Sequence, residues 1–212
     1  MPDEHPTHAQ RHRVRVFVDF WNYSLSMRDV EEEFRSDWSK LGPVLSRGAA
    51  EVTGATTSEY QGLNLYGSHD PASAGDKKLH RWATTVVDTF PGVSVSMVPR
   101  QKKRSPPSCP TCHERVAACP ACGADMRGTE EKGVDVRMAT DMISLAWADN
   151  YDIAVLVSSD RDFVPVAEFL QTKGIKVIHG AFPPKGAQLT RKCWGSVNVA
   201  GLREQYRLVR QG

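Results

Sequence analysis

Two hydrophobic rhythms alternate along the chain, and each change of rhythm marks the boundary of an element. Residues 14–19 are mostly apolar and rich in β-branched types, with Val14, Val16, Phe17 and Val18 running into Asp19. Such a run predicts a buried strand with the acid at its carboxyl end. Helical spacing then predicts helices over residues 24–34 and 38–50, a strand over 60–66, a helix over 76–90 and a strand over 93–98. Beyond residue 133 the alternation resumes with a helix over 134–148, a strand over 153–157, a helix over 162–172 and a strand over 175–178. A short closing helix is expected over 202–209. Strands alternating with helices predict an α/β fold of three layers, a parallel sheet with helices on both faces. In such folds ligands collect beyond the carboxyl ends of the strands.

Two stretches break the rhythm. Residues 1–13 carry three histidines, two prolines and no apolar period, which predicts a flexible tail. Residues 101–127 open with Lys102, Lys103 and Arg104, pass through Pro106 and Pro107, and hold four of the five cysteines. The expected organisation is therefore one domain, residues 14–100 and 128–212, interrupted by a small insert at 101–127. A length of 212 residues suits that plan, at about 150 residues per domain.

Composition narrows the function classes. With 40% hydrophobic and 25% charged residues the chain has enough apolar material for a core, which excludes wholesale disorder. The longest aliphatic run, Ile153–Val157, has five residues where a membrane-spanning helix needs roughly 20. No membrane association or export is expected, and the reading is cytoplasmic. Lys and Arg total 27 against 25 Asp and Glu, so a nucleic-acid partner must be argued from local clusters. A homo-oligomer is compatible with the sequence.

Acids sit where strands are predicted to end. Asp19 closes the first strand, Asp160 and Asp162 follow the strand ending at Val157, and Asp135 opens the helix after the insert. Four carboxylates gathered in a low-dielectric cleft repel one another unless a cation neutralises them. Carboxylate oxygens suit Mg²⁺ or Mn²⁺, and without a phosphate loop the arrangement points to metal-assisted attack on a phosphodiester. Helix capping accounts for Asp160 or Ser159, and a favourable helix dipole for Asp135, equally well. Asp19 reads differently, because the next predicted helix begins several residues later. Asp141 is expected to pair with Arg137 one turn away. Ser158 and Ser159 precede a predicted helix, where backbone N–H groups could hold a substrate phosphate or simply cap. Trp21 reads as a half-buried rim residue rather than a base-stacking platform.

At these residues the sequence resembles a known family. Val18 to Tyr23, then Lys132, Gly133, Val134, Asp135 and Val136, then Ser158 to Phe163, resemble the three motifs of NYN domains, a PIN-like nuclease superfamily that includes the LabA-like proteins. The motifs occur in the family's order and span residues 14 to 199 apart from the insert. The resemblance implies a PIN-like, Rossmann-like sheet and a metal-dependent ribonuclease acting on RNA. Asp19, Asp135, Asp160 and Asp162 match the acidic cup and Asn22 the polar residue beside the first acid. Ser159 stands where many relatives carry glycine, and the four-cysteine insert is not a general family feature. The alternative function is a non-catalytic RNA-binding or regulatory adaptor on the same fold. Neither a dinucleotide fingerprint nor a P-loop string is present.

The insert carries its own signal. Cys109, Cys112, Cys119 and Cys122 form two C-x-x-C pairs six residues apart. In a reducing compartment such pairs favour a metal over disulfides. Four thiolates suit a structural Zn²⁺, which would supply most of the folding energy of an insert with almost no apolar core. A paired redox dithiol and an iron site remain alternatives, since iron uses the same ligands. Lys102, Lys103 and Arg104 beside the knuckle are expected to clamp a phosphate backbone or to remain solvated decoration. His69, His179 and Cys193 show no ligand spacing.

Overall fold

The computed structural model describes residues 11–209. A six-stranded parallel sheet runs in the order β3-β2-β1-β6-β7-β8. The strands are β1 (Arg11–Asp19), β2 (Thr57–His69), β3 (Val93–Pro99), β6 (Ile153–Val157), β7 (Lys176–Ala181) and β8 (Gly195–Asn198). A separate antiparallel pair, β4 (Gln101–Lys102) and β5 (Thr129–Glu130), closes the base of the insert. The α/β three-layer expectation is met.

Strand β1 is the centre because its side chains can be buried on both sides. Val14, Val16 and Val18 face one core with Leu63, Leu65, Ile153, Val155 and Val157, whereas Phe17 faces the other with Ala154 and Leu156. Helices α1 (Phe20–Val30) and α2 (Trp38–Thr53) cover the first core through Tyr23, Met27, Leu41 and Leu45. Leu79 and Trp82 of α3 (Ala74–Thr85) pack against the same core. Helices α4 (Val134–Trp147) and α5 (Val164–Thr172) cover the second through Met138, Met142, Ala167 and Leu170. The fully buried run Ile153–Val157 pairs with residues 14–18 of β1 in register, which aligns the carboxyl ends of the two strands.

Several boundaries differ from expectation. The part of the expected tail up to residue 10 lies outside the described residues, while residues 11–13 already belong to β1. Arg13 anchors them, its Nε and terminal nitrogen donating to Asp152 at 3.2 and 2.7 Å. Helix α1 begins at Phe20 rather than residue 24, because Asp19 ends the strand and caps the helix at once. The helix expected over 76–90 stops at Thr85, where the Thr84 and Thr85 hydroxyls donate back to the carbonyls of His80 and Arg81 at 2.9 and 2.7 Å. A 3-10 turn, Val87–Thr89, follows, as a β-branched stretch disfavours further α-helix. The closing helix is a 3-10 segment, Ala200–Tyr206, and a short helix α6 (Ala187–Thr190) and strand β8 occupy a stretch with no clear pattern.

Candidate active site at the carboxyl edge of the sheet

The chain proceeds from β1 outward through β2 to β3 on one side, and from β6 outward through β7 to β8 on the other. The switch point of this sheet therefore lies between β1 and β6, where open α/β sheets form their ligand crevice. Asp19 is the last residue of β1, and Ser158, Ser159 and Asp160 follow β6 directly.

A small hydrogen-bond web joins the two strand ends. Asp19 caps α1 by accepting from the Asn22 N–H at 3.1 Å, and its other oxygen accepts from the buried Ser158 hydroxyl at 3.3 Å. The same hydroxyl accepts from the Asp160 N–H at 3.2 Å. Asn22 Oδ1 accepts from the Ser159 N–H at 2.9 Å. Asp160 caps the 3-10 turn Arg161–Phe163, accepting from the Asp162 N–H at 2.9 Å. Ser158 and Ser159 are candidates to hold a phosphate, yet the Ser158 hydroxyl and the Ser159 N–H both have internal partners. Asp19 is a helix cap after all, which corrects the reading that capping was excluded there.

Loop position is fixed from below by His179, which is fully buried. Its Nε2 lies 2.8 Å from the Ser158 carbonyl and its Nδ1 2.7 Å from the Thr190 hydroxyl. Burial lowers its pKa, so the ring is neutral. The carbonyl only accepts, so Nε2 carries the proton and Nδ1 accepts from Thr190. Gly186, at φ +70°, lets the neighbouring loop approach, since a Cβ there would lie 2.8 Å from the His179 ring and 3.1 Å from the Ser159 Cα.

The acids at this edge sense one another. Burial pushes the Asp19 carboxyl up to about 6, and the charges of Asp135 and Glu131 add to the effect. The Asn22 and Ser158 hydrogen bonds pull it partly back. Asp135, in the first turn of α4, is also raised, by burial and then by Asp160, Glu131 and Asp162. Glu131 has no counterpart in the sequence reading, because it lies in a polar run without periodicity. Its carboxylate accepts from the Ser68 hydroxyl at the end of β2. Asp162 is exposed. Asp141 accepts from Arg137 at 3.1 Å and from the Tyr66 hydroxyl at 3.0 Å, as a structural pair should.

The expectation of a closed cup needs correction. Among the described residues no three His, Cys, Asp or Glu groups stand close enough to enclose an ion. Capping explains the spread, because Asp19 and Asp160 each turn an oxygen onto their own helix starts. The donor set nevertheless suits a hard divalent cation: all-oxygen ligands, one of them desolvated and held against its own charge by neighbouring acids.

The insert presents two equivalent turns. Ser108 bridges Arg115 and Ala118 bridges Asp125, each pair closing one C-x-x-C turn. The His113 N–H donates to the Cys109 carbonyl at 3.0 Å, and the Gly123 N–H to the Cys119 carbonyl at 2.8 Å. His113 and Gly123 occupy matching left-handed positions, at φ 62° and 70°. Backbone N–H groups of Cys112 and Thr111 lower the Cys109 pKa, and those of Ala121 and Cys122 lower that of Cys119. The cysteines stand in two near pairs, and among the described residues no group of three or more is placed to hold an ion. Lys102 is bound to Asp125 at 2.7 Å, while Lys103 and Arg104 are exposed with no ion pair among the described residues.

The NYN domain profile matches residues 13–194. The chain belongs to the NYN domain family. NYN domains are generally nucleases of the PIN-like superfamily, which supports a hydrolase role in the coarse sense. A crystal structure of a protein of unknown function from Vibrio parahaemolyticus aligns with this NYN domain at a TM-score of 0.50 and 17% identity, over 98% of this chain and 100% of that one. That likeness shows the fold alone. A comparison with curated proteins finds no match. No described helix of this NYN domain is long and apolar enough to cross a membrane.

Proposed function

We propose that the protein is a Mg²⁺- or Mn²⁺-dependent endoribonuclease, acting in the cytoplasm on RNA. The observation that carries the reading is the meeting of the Asp19 and Asp160 loops through Ser158 at the switch point of an NYN fold, with Asp135 and Glu131 near enough to add to the charge on Asp19 and no cationic partner for Asp19 among the described residues. Natural chains seldom keep such a cluster at a crevice without a cation to complete it. A divalent ion bound there supplies Lewis-acid polarisation of the phosphate and a more acidic water.

The chain's own groups divide the remaining work. Asp19, Asp160 and Asp135 would hold the ion, with waters taking the positions that carboxylates too far apart to enclose it leave open. Asp162, which is exposed, would orient the attacking water. The Asn22 amide, tied at its oxygen to the Ser159 N–H, keeps its nitrogen for a phosphate oxygen. Ser158 and Ser159 hold the acids in place rather than bind substrate directly. Lys103 and Arg104 meet the outgoing RNA backbone.

The insert at 101–127 is proposed as a structural zinc module bounded by the β4–β5 stem. Its support is the pair of matched turns, each offering a sulfur whose charged form is already favoured by backbone N–H groups.

Incubation of purified protein with a panel of RNAs and DNAs, with Mg²⁺, with Mn²⁺ and with EDTA, tests the activity. Wild type cleaves RNA internally only with a divalent ion, and Asp19→Asn and Asp160→Asn each lower the rate by about three orders of magnitude while the fold persists. Undiminished cleavage by both variants defeats the reading. RNA binding without cleavage under every metal would instead favour the adaptor.

A further inference from the structure

Arg100 follows β3 at the same carboxyl edge, and its N–H donates to the His69 carbonyl at the end of β2, at 2.7 Å. Its side chain is unusually well placed. The guanidinium lies over the Trp21 ring, 5.1 Å from the centroid, and Nε donates to the Ser68 hydroxyl at 2.9 Å. Trp21 is itself fixed, its indole N–H donating to the Ser68 carbonyl at 2.8 Å and its ring meeting Phe20 edge-on at 5.2 Å. Only Phe20 separates Trp21 from Asp19, so this platform borders the acidic edge.

Among the described residues only one of the five guanidinium N–H donors of Arg100 is used. Among the described residues no carboxylate lies within ion-pair distance of it and neither terminal nitrogen has a hydrogen-bond partner. Arg100 lines a cleft of about 550 Å³ between the sheet edge and the base of the insert, together with Asp70, Lys102, Asp125, Arg127 and Thr129. Lys102 and Arg127 share the single carboxylate of Asp125, each at 2.7 Å, so together they keep one net positive charge on this wall. Arg100 adds a second, and among the described residues no carboxylate pairs with it.

We propose that Arg100 binds a backbone phosphate of the RNA strand as it leaves the acidic edge for the cleft beneath the insert. The inference rests on the endoribonuclease reading and adds the path of its substrate. Stacking on Trp21 and the bond to Ser68 fix the plane of the guanidinium, so a forked pair of donors faces the cleft with little conformational freedom left to lose. The Ser68 hydroxyl that holds Arg100 also holds Glu131, which places the phosphate contact and the acidic cluster on one side-chain relay.

The test is equilibrium binding of a labelled single-stranded oligoribonucleotide in EDTA across a salt series, alongside steady-state cleavage with Mn²⁺. Arg100→Gln keeps a planar amide on Trp21 and a donor toward Ser68 but removes the charge. It is expected to weaken binding about tenfold and to reduce the slope of log affinity against log salt by about 0.7, the share of one phosphate contact on a single strand. KM rises with kcat unchanged, because the contact exists before and during the reaction. Arg100→Lys restores the salt slope but only part of the affinity. A folded Arg100→Gln protein with unchanged salt slope and KM overturns the inference, and a fall in kcat alone would make Arg100 a mere support for Glu131. If wild type cleaves RNA while the variant binds like wild type, only this inference fails. If wild type neither binds nor cleaves RNA, the nuclease reading fails with it.

Discussion

The acidic edge and the cysteine insert solve opposite physical problems. At the edge, the scaffold is complete: β1 and β6 are buried on both faces, and Ser158, Asn22 and His179 lock the loops before any ion arrives. What is left uncompensated there is charge. In the insert almost every side chain is exposed, so the local turns have no core to rest on, and what is missing is cohesion. A cation at the first site would relieve repulsion in a rigid frame, whereas at the second it would create the frame. On the proposed reading, one chain would need metal for chemistry in one place and for folding in another, and the two needs would respond to different perturbations.

The largest expected effect lies in the insert. Purified protein should carry about one zinc per chain, measured by elemental analysis, and the double variant Cys112→Ser with Cys119→Ser should lose it entirely. Amide exchange over residues 103–128 should then become fast while the melting of the sheet stays unchanged. A metal-free native protein, or a sheet that melts with the insert, breaks the contrast.

Proton competition at the edge is the next largest. Asp19 must be ionised to hold a dication, so cleavage at limiting metal should fall about tenfold per pH unit below about 6 and level off above it. Raising the Mn²⁺ concentration should shift the midpoint to lower pH. In EDTA the sign for stability is the reverse. A carboxyl whose folded pKa is raised favours the folded state when protonated, so stability declines as pH climbs from about 4 to about 6 and is flat above. Asn keeps the helix cap without the charge. Asp19→Asn should therefore be more stable than wild type above pH 6 by on the order of 1–2 kcal/mol, read from denaturant melts, and a less stable variant would contradict the assignment of burial as the cause.

The smallest effect sharpens the idea of a preformed frame. Gly186→Ala puts a methyl against the His179 ring and strains a left-handed residue. A loss of about 1–3 kcal/mol in thermal or denaturant melts is expected, with cleavage reduced only in proportion to the displaced Ser158 loop.

Much of the scaffold was legible because burial on both faces writes a continuous apolar run, as in Ile153–Val157, and because helix faces such as Met138 and Met142 repeat at the right interval. Strand β8 and helix α6 were not, being too short to show a period. The start of α1 was misplaced because Phe20 and Trp21 continue the strand's apolar composition, and only geometry shows that Asp19 belongs to both elements. The positions of Asp19 and Asp160 beside each other's loops followed from strand ends alone. Glu131, Ser68, Arg100 and His179 did not, since each acts through a partner more than 20 residues away and has no motif of its own.

The stem of the insert has one more consequence. Gln101 faces Glu130 and Lys102 faces Thr129, and the Lys103 N–H donates to the Gly128 carbonyl at 2.9 Å, so the chain departs and returns through a single ladder of rungs. A detour that begins and ends at neighbouring atoms can be trimmed to a tight reversal without tugging on either flank. Grafted in the other direction, the same doorway would accept a different appendage, making this corner of the molecule a socket whose cargo can change without disturbing the sheet.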